Sequence, residues 1–155
     1  MRLGFRVRTT VLFSAAVLGA LALACSGGAS DSTSGTTAKG TSVKADTKID
    51  VVLSEWAVQP SAASTKAGAV EFVAKNSGTQ MHELVVVKTD LAFDKLPTAA
   101  GVVDETKVTV IDEIEPFEAG KTLSGTFSLA AGKYVLLCNV AAHYDLGMRA
   151  AFTVN

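Results

Sequence analysis

The 155-residue chain is poor in the side chains that most chemistry uses. It holds two histidines, two cysteines, three methionines, one tryptophan and three prolines. With so few histidines, any centre that needs many imidazoles is excluded. Basic residues are also scarce where a nucleic-acid binder would need them. Arg2, Arg6 and Arg8 all precede Cys25, and from Cys25 onward 11 Lys+Arg stand against 15 Asp+Glu, a net charge of −4. A mildly acidic chain has no basic stripe for nucleic acid and is no direct ligand for an acidic membrane surface. Two cysteines in an exported chain would allow one disulfide. Each has a separate explanation below, so none is expected. Also missing is any long 3.6-residue period within 49–155, which argues against a helical fold.

Residues 1–24 read as an export signal peptide. The three arginines form a positive start, and Val11 to Ala24 is an uncharged apolar run too short to span a bilayer comfortably. The run ends Leu21-Ala-Leu-Ala-Cys25, which resembles a bacterial lipoprotein signal with lipidation on Cys25. Ala22-Leu-Ala24 also satisfies the small-x-small rule for ordinary cleavage, which would leave a secreted chain with a free N-terminal cysteine. Residues 25–48 are rich in Ser, Thr, Gly and Ala, and beyond the cysteine only Val43 offers a larger apolar side chain. Such a segment buries too little to offset its ordering entropy, so a flexible, disordered linker is expected, with a reach of roughly 25 Å. It would let a lipid-anchored domain sweep the membrane surface.

From Ile49 to Asn155 the pattern is one of short alternating runs. Ile49, Val51 and Leu53 share one face, as do Val70, Phe72 and Ala74, then His82, Leu84 and Val86. Leu123, Phe127 and Leu129 follow, then Tyr134, Leu136 and Cys138, and last Met148, Ala150, Phe152 and Val154. Period two with glycine-bearing breaks predicts an all-β sandwich or barrel. Residues 89–106 are the least regular and predict a long connection with room for a short helix.

The stretch Tyr134–Met148 places Cys138, His143 and Met148 at the spacing C-x4-H-x4-M. Thiolate, imidazole and thioether form a soft-to-borderline ligand set. Two histidines and one cysteine with a weak axial methionine are the expected donors of a blue-copper electron-transfer centre. The second histidine can only be His82. Cys138 ends a strand facing inward with Tyr134 and Leu136, because residues two apart share a face. Met148 begins the last strand toward the same core, and His143 lies midway on the loop between them. His82 starts a strand 56 residues before Cys138. Pairing over that distance suits a Greek-key β-sandwich with the site at one end. Free cysteine and methionine are common in cores, but here the sole cysteine of 49–155 and both histidines fall in motif positions. Met81 alternates to the other face, as a core or patch residue. Trp56 reads as an aromatic core or edge residue.

On these residues the chain resembles the cupredoxins, most closely the rusticyanin-like and sulfocyanin-like members, through the C-x4-H-x4-M loop with Gly147-Met148. Ala67–Asn76 followed by His82-Glu-Leu-Val-Val-Val87 resembles the family's first-histidine segment. The resemblance implies one copper ion, with His82, Cys138 and His143 equatorial and Met148 axial. It also implies a loop histidine reaching the surface through an apolar patch, here Ala141, Ala142, Tyr144 and Leu146. Two features depart from the family pattern. Ala141-Ala142 stands where many relatives have Pro-Gly before the loop histidine. Glu83 stands where several have an asparagine that braces the loop, a part Asn76 or Asn139 could take.

The functional expectation is an extracytoplasmic, membrane-tethered monomer carrying single electrons between transient redox partner proteins. A copper-binding module for storage or delivery is the alternative. Catalysis is disfavoured, since a methionine-capped site leaves no open position for substrate. Asp104 to Glu118, with six acids and one lysine, is a solvated face or a docking patch for a basic partner.

Overall fold

The computed structural model describes residues 44–155; the segment read as an export signal, Cys25 and nearly all of the segment read as a linker lie outside the described residues. Two sheets face each other. The first has the order β2-β1-β4-β9, built from β1 (Thr47–Ser54), β2 (Ala57–Pro60), β4 (Gly68–Asn76) and β9 (Thr122–Leu129). The second has the order β3-β11-β10-β5-β8. Its strands are β3 (Ser64–Thr65), β5 (His82–Lys88), β8 (Thr109–Phe117), β10 (Gly132–Leu137) and β11 (Arg149–Val154). A small hairpin, β6 (Thr98–Ala99) with β7 (Val102–Val103), lies in the long connection. The short helix expected there is a 3-10 turn, Glu105–Lys107. The first strand begins two residues before the alternation does, at Thr47. Asp46 is already tied to Ala69, donating its N–H to the Ala69 carbonyl at 2.7 Å and accepting the Ala69 N–H on Oδ2 at 3.2 Å.

The alternation places the core. Ile49, Val51 and Leu53 meet Val70, Phe72 and Ala74 on the first sheet, and Leu84, Val86, Tyr134, Leu136 and Phe152 on the second. Phe72 packs on Phe127 and Phe152 with ring centroids 5.7 and 5.8 Å apart. Each such fully buried side chain contributes about 1.5–3 kcal/mol. A second cluster covers the opposite face of the second sheet, where Val85, Val87, Val135 and Leu137 meet Leu96, Val103 and Tyr144. Leu84–Val87 of β5 therefore form an unbroken apolar run, because the strand is buried on both faces there.

Sequence-distant strands become neighbours, as the Greek-key expectation requires. β10 lies between β5 and β11, antiparallel to both, and β1 runs parallel to β4. β8 is an edge strand whose register against β5 shifts between the pairs His82–Phe117 and Leu84–Ile114. Pro116 sits in that irregularity, where its missing N–H breaks no regular ladder. His82 is thereby delivered to the end of β5 on the core side.

Candidate metal centre

Two strand ends and a helical turn come together. His82 opens β5, Cys138 follows β10, and His143 opens a single helical turn, α1 (His143–Leu146). His82 Nδ1 lies 3.2 Å from His143 Nδ1, and Cys138 Sγ lies 3.4 Å from His143 Nδ1 and 4.0 Å from His82 Nδ1. All three residues are buried, with His143 only 4% exposed. Met148 is fully buried in the same core cluster as Cys138. The loop closes through its backbone. The Cys138 N–H donates to the Met148 carbonyl, the Met148 N–H to the His143 carbonyl (both 3.0 Å), and the His143 N–H to the Val140 carbonyl at 2.9 Å.

This donor set fits a metal ion. A circle through the three ligand atoms has a radius of about 2.1 Å, against metal–imidazole and metal–thiolate bonds of about 2.0–2.3 Å. Burial lowers the pKa of both imidazoles, for His143 with His82 adding to the effect, so each keeps a lone pair for a metal. Burial pushes the Cys138 thiol up to about 11. A thiolate in this apolar setting needs a cation beside it, and metal binding would displace the proton. The Glu83 N–H donates to Cys138 Sγ across 3.5 Å. That contact comes from the backbone and does not depend on which side chain follows His82. The Glu83 carboxyl is itself buried, and this raises it to about 7, with Glu113 adding to the effect.

Hydrogen bonds brace the loop where Pro-Gly is absent. Ala142 adopts φ +69°, and its N–H donates to the Gly101 carbonyl at 2.7 Å. Asn139 Oδ1 accepts the Val103 N–H at 2.6 Å, while its Nδ2 donates to the Val103 carbonyl and to Glu105. The Tyr144 hydroxyl accepts the Leu96 N–H and donates to the Phe93 carbonyl. The long connection therefore clamps the ligand loop. A left-handed conformation costs a non-glycine residue about 1–2 kcal/mol. Ala142→Gly is therefore expected to stabilise the fold by up to about 1 kcal/mol, after the extra unfolded-state entropy of glycine is subtracted, read as a higher urea midpoint.

The apolar patch differs from the sequence expectation. His143 does not breach the surface, because the Trp56 ring covers it edge-on with centroids 5.1 Å apart. Tyr144 turns inward at 2% exposure to fill the second core cluster. Ala141, Ala142 and Leu146 (51%) are exposed, and the other large exposed apolar side chains on the segments around the site are Trp56 (39%) and Met81 (50%). Glu55, which sequence reasoning did not single out, also reaches the site. Its Oε1 lies 3.2 Å from His82 Nε2 and accepts the N–H groups of Thr79 and Gln80, whose bonds lower this carboxyl to about 2. Nothing in the local sequence around His82 points to a residue 27 positions earlier.

No protein-family model matches the chain, and no curated protein is significantly similar to it. Solved structures are. Auracyanin B aligns at TM-score 0.55 and 22% identity, over 73% of this chain and 91% of that one. The dithionite-reduced auracyanin of the photosynthetic bacterium Roseiflexus castenholzii aligns at 0.52 and 24%, over 72% and 99%. Auracyanin A, a "blue" copper protein of the green thermophilic photosynthetic bacterium Chloroflexus aurantiacus, aligns at 0.51 and 26%, over 70% and 98%. The chain has the cupredoxin fold. His82, Cys138, His143 and Met148 form the candidate site, at one end of the sandwich.

Proposed function

We propose that this cupredoxin is an electron carrier that would hold one copper ion through Nδ1 of His82 and His143, Sγ of Cys138 and the thioether of Met148. The observation that carries this reading is the triangle of ligand atoms at 3.2, 3.4 and 4.0 Å. Copper supplies the one-electron couple. The chain supplies a site that changes little when the charge changes, because each ligand is fixed by packing or by backbone hydrogen bonds. A trigonal sulfur–nitrogen set suits neither oxidation state fully, which keeps structural rearrangement small. Burial excludes water from the thiolate. The Glu83 N–H, directed at the sulfur, tunes the potential together with the apolar walls.

The route outward runs from His143 to Trp56. Trp56, Met81 and Leu146 offer a small apolar face of the kind that suits brief redox encounters, which bury little area. The acids of Asp104–Glu118 would steer a cationic partner protein toward the domain. Raising ionic strength from about 0.01 to about 0.15 M shortens the screening length from about 30 to about 8 Å. The second-order rate with a cationic partner is therefore expected to fall over that range in stopped-flow experiments; a flat dependence would leave the acids as a solvated face. The arginine-led apolar start and Cys25 support an exported chain tethered by lipid to the outer face of a membrane.

Visible absorption and EPR of the Cu(II)-loaded protein test the reading. An intense thiolate-to-copper band with narrow copper hyperfine splitting is expected. A pale spectrum with ordinary tetragonal EPR would overturn electron transfer in favour of copper storage or delivery.

A further inference from the structure

His82 Nε2 is the one buried side-chain nitrogen or oxygen among the described residues that lacks an aligned hydrogen-bond partner. A buried ring nitrogen left without a partner in such a place is costly. The group beside it is a carboxylate: Glu55 Oε1, on the turn between β1 and β2, at 3.2 Å. That oxygen is fixed from the other side by the Thr79 N–H at 2.8 Å and the Gln80 N–H at 2.9 Å. Both donors belong to the turn that leads into β5, so one turn holds the histidine and the carboxylate together. Gly78, in the same turn, leaves room for them to meet. A Cβ at this position would stand 2.5 and 2.6 Å from the two Glu55 carboxylate oxygens and 2.7 Å from His82 Nε2. The glycine therefore answers to contact with both groups, not to backbone strain.

We propose that Glu55 is the positioning residue for His82: its carboxylate faces the Nε2–H, fixes that tautomer, and leaves the Nδ1 lone pair aimed at Cys138 Sγ and His143 Nδ1. The proposal rests on the copper reading above and assigns to Glu55 a role in it. A ring nitrogen that donates to a carboxylate cannot be the one that binds metal, so the partner of Nε2 decides which atom does. The anionic partner also makes the imidazole a stronger donor, which favours the higher oxidation state and lowers the reduction potential. The turn between β1 and β2 thus serves both histidines, with Glu55 behind His82 and Trp56 over His143.

Glu55→Gln, Glu55→Ala and Gly78→Ala test this in the full chain. In the metal-free wild type, long-range proton–nitrogen NMR is expected to show His82 as the pure Nε2–H tautomer. Glu55→Gln, whose amide oxygen still accepts, is expected to retain that tautomer and near-wild-type Cu(II) affinity while the reduction potential rises. Glu55→Ala and Gly78→Ala are expected to mix the tautomers and weaken Cu(II) binding by roughly 10–100-fold. If both keep the pure tautomer and wild-type affinity, and Glu55→Gln keeps the wild-type potential, Glu55 only caps the turn and the proposal is wrong. Should an alanine variant fail to fold by circular dichroism, the Glu55→Gln potential decides. The tautomer needs no copper, so a wild type without the blue band would overturn the copper reading while the NMR still judged Glu55.

Discussion

Cys138→Ser is expected to abolish the intense visible band of the copper-loaded protein and to weaken Cu(II) binding by more than roughly 100-fold, the upper end of what losing an outer hydrogen-bond partner costs. The band requires a thiolate bound to the metal. Serine puts a protonated alcohol in the same place, and the remaining pair of imidazole nitrogens, 3.2 Å apart, is an ordinary nitrogen site. The fold should survive, because serine is close to cysteine in size and the Glu83 N–H that now donates to Sγ can donate to its oxygen instead. Met148→Leu is the contrasting variant. It leaves the three close donors intact, so the band should persist while the potential rises with loss of the thioether sulfur. The exchange roughly conserves volume in a fully buried position, at a cost below about 1.5 kcal/mol. An intensely coloured Cys138→Ser protein would show that the ligand assignment is wrong.

The sandwich was legible because its strands obey period two and their ends carry glycine. Val70, Phe72 and Ala74 on β4 and Tyr134, Leu136 and Cys138 on β10 all face the core. The convergence of His82, Cys138 and His143 could be anticipated for the same reason: two of them continue the inward face of a strand, and the third sits on the short loop between strands. Leu123 shows the limit of the pattern. It shares a face with Phe127 and Leu129 but is 44% exposed, because it lies near the start of β9, an edge strand.

The surroundings of the site were not legible, since they depend on turns rather than on periodicity. Tyr144 looked like a surface residue in a loop, but the Leu96 N–H and the Phe93 carbonyl give its hydroxyl buried partners, and the ring goes inward with it. That leaves the cover of His143 to Trp56, which is 87 positions earlier and reaches the loop only because β1 and β2 bring their turn to this end of the sandwich. Glu83 illustrates the converse. Its side chain departs from the family pattern, yet the contact that matters to the sulfur is made by its backbone. The departure at Ala141-Ala142 is met by the same means, with Asn139 and the Ala142 N–H tying the loop to the 101–103 segment.

Asn76 carries the second large prediction. It is fully buried at the end of β4, and its side chain makes three hydrogen bonds. Nδ2 donates to the Gln80 carbonyl at 2.8 Å and to the Phe117 carbonyl at 3.0 Å, and Oδ1 accepts the Gly78 N–H at 3.0 Å. One side chain therefore shapes the turn 77–81 and ties it to β8, opposite His82 in the ladder. Asn76→Ala is expected to cost about 2–4 kcal/mol, from three lost bonds at about 1 kcal/mol each and a Phe117 carbonyl left buried without its partner. The metal-free protein would read this as a lower urea midpoint with an unchanged slope. Asn76→Asp should be worse near neutral pH, because a carboxylate oxygen would then face two carbonyl oxygens. Only the protonated acid can donate there, so folding would raise the pKa of the new group above its unfolded value. Stability would then be highest at acid pH and fall as pH rises through that folded pKa. The two variants should thus draw together near pH 4 and separate near pH 8. Because the same turn presents the N–H groups of Thr79 and Gln80 to Glu55, both should also lose copper affinity in proportion to how far the turn moves. A variant that lost stability but kept the wild-type affinity would show that Glu55 and His82 hold their places without Asn76.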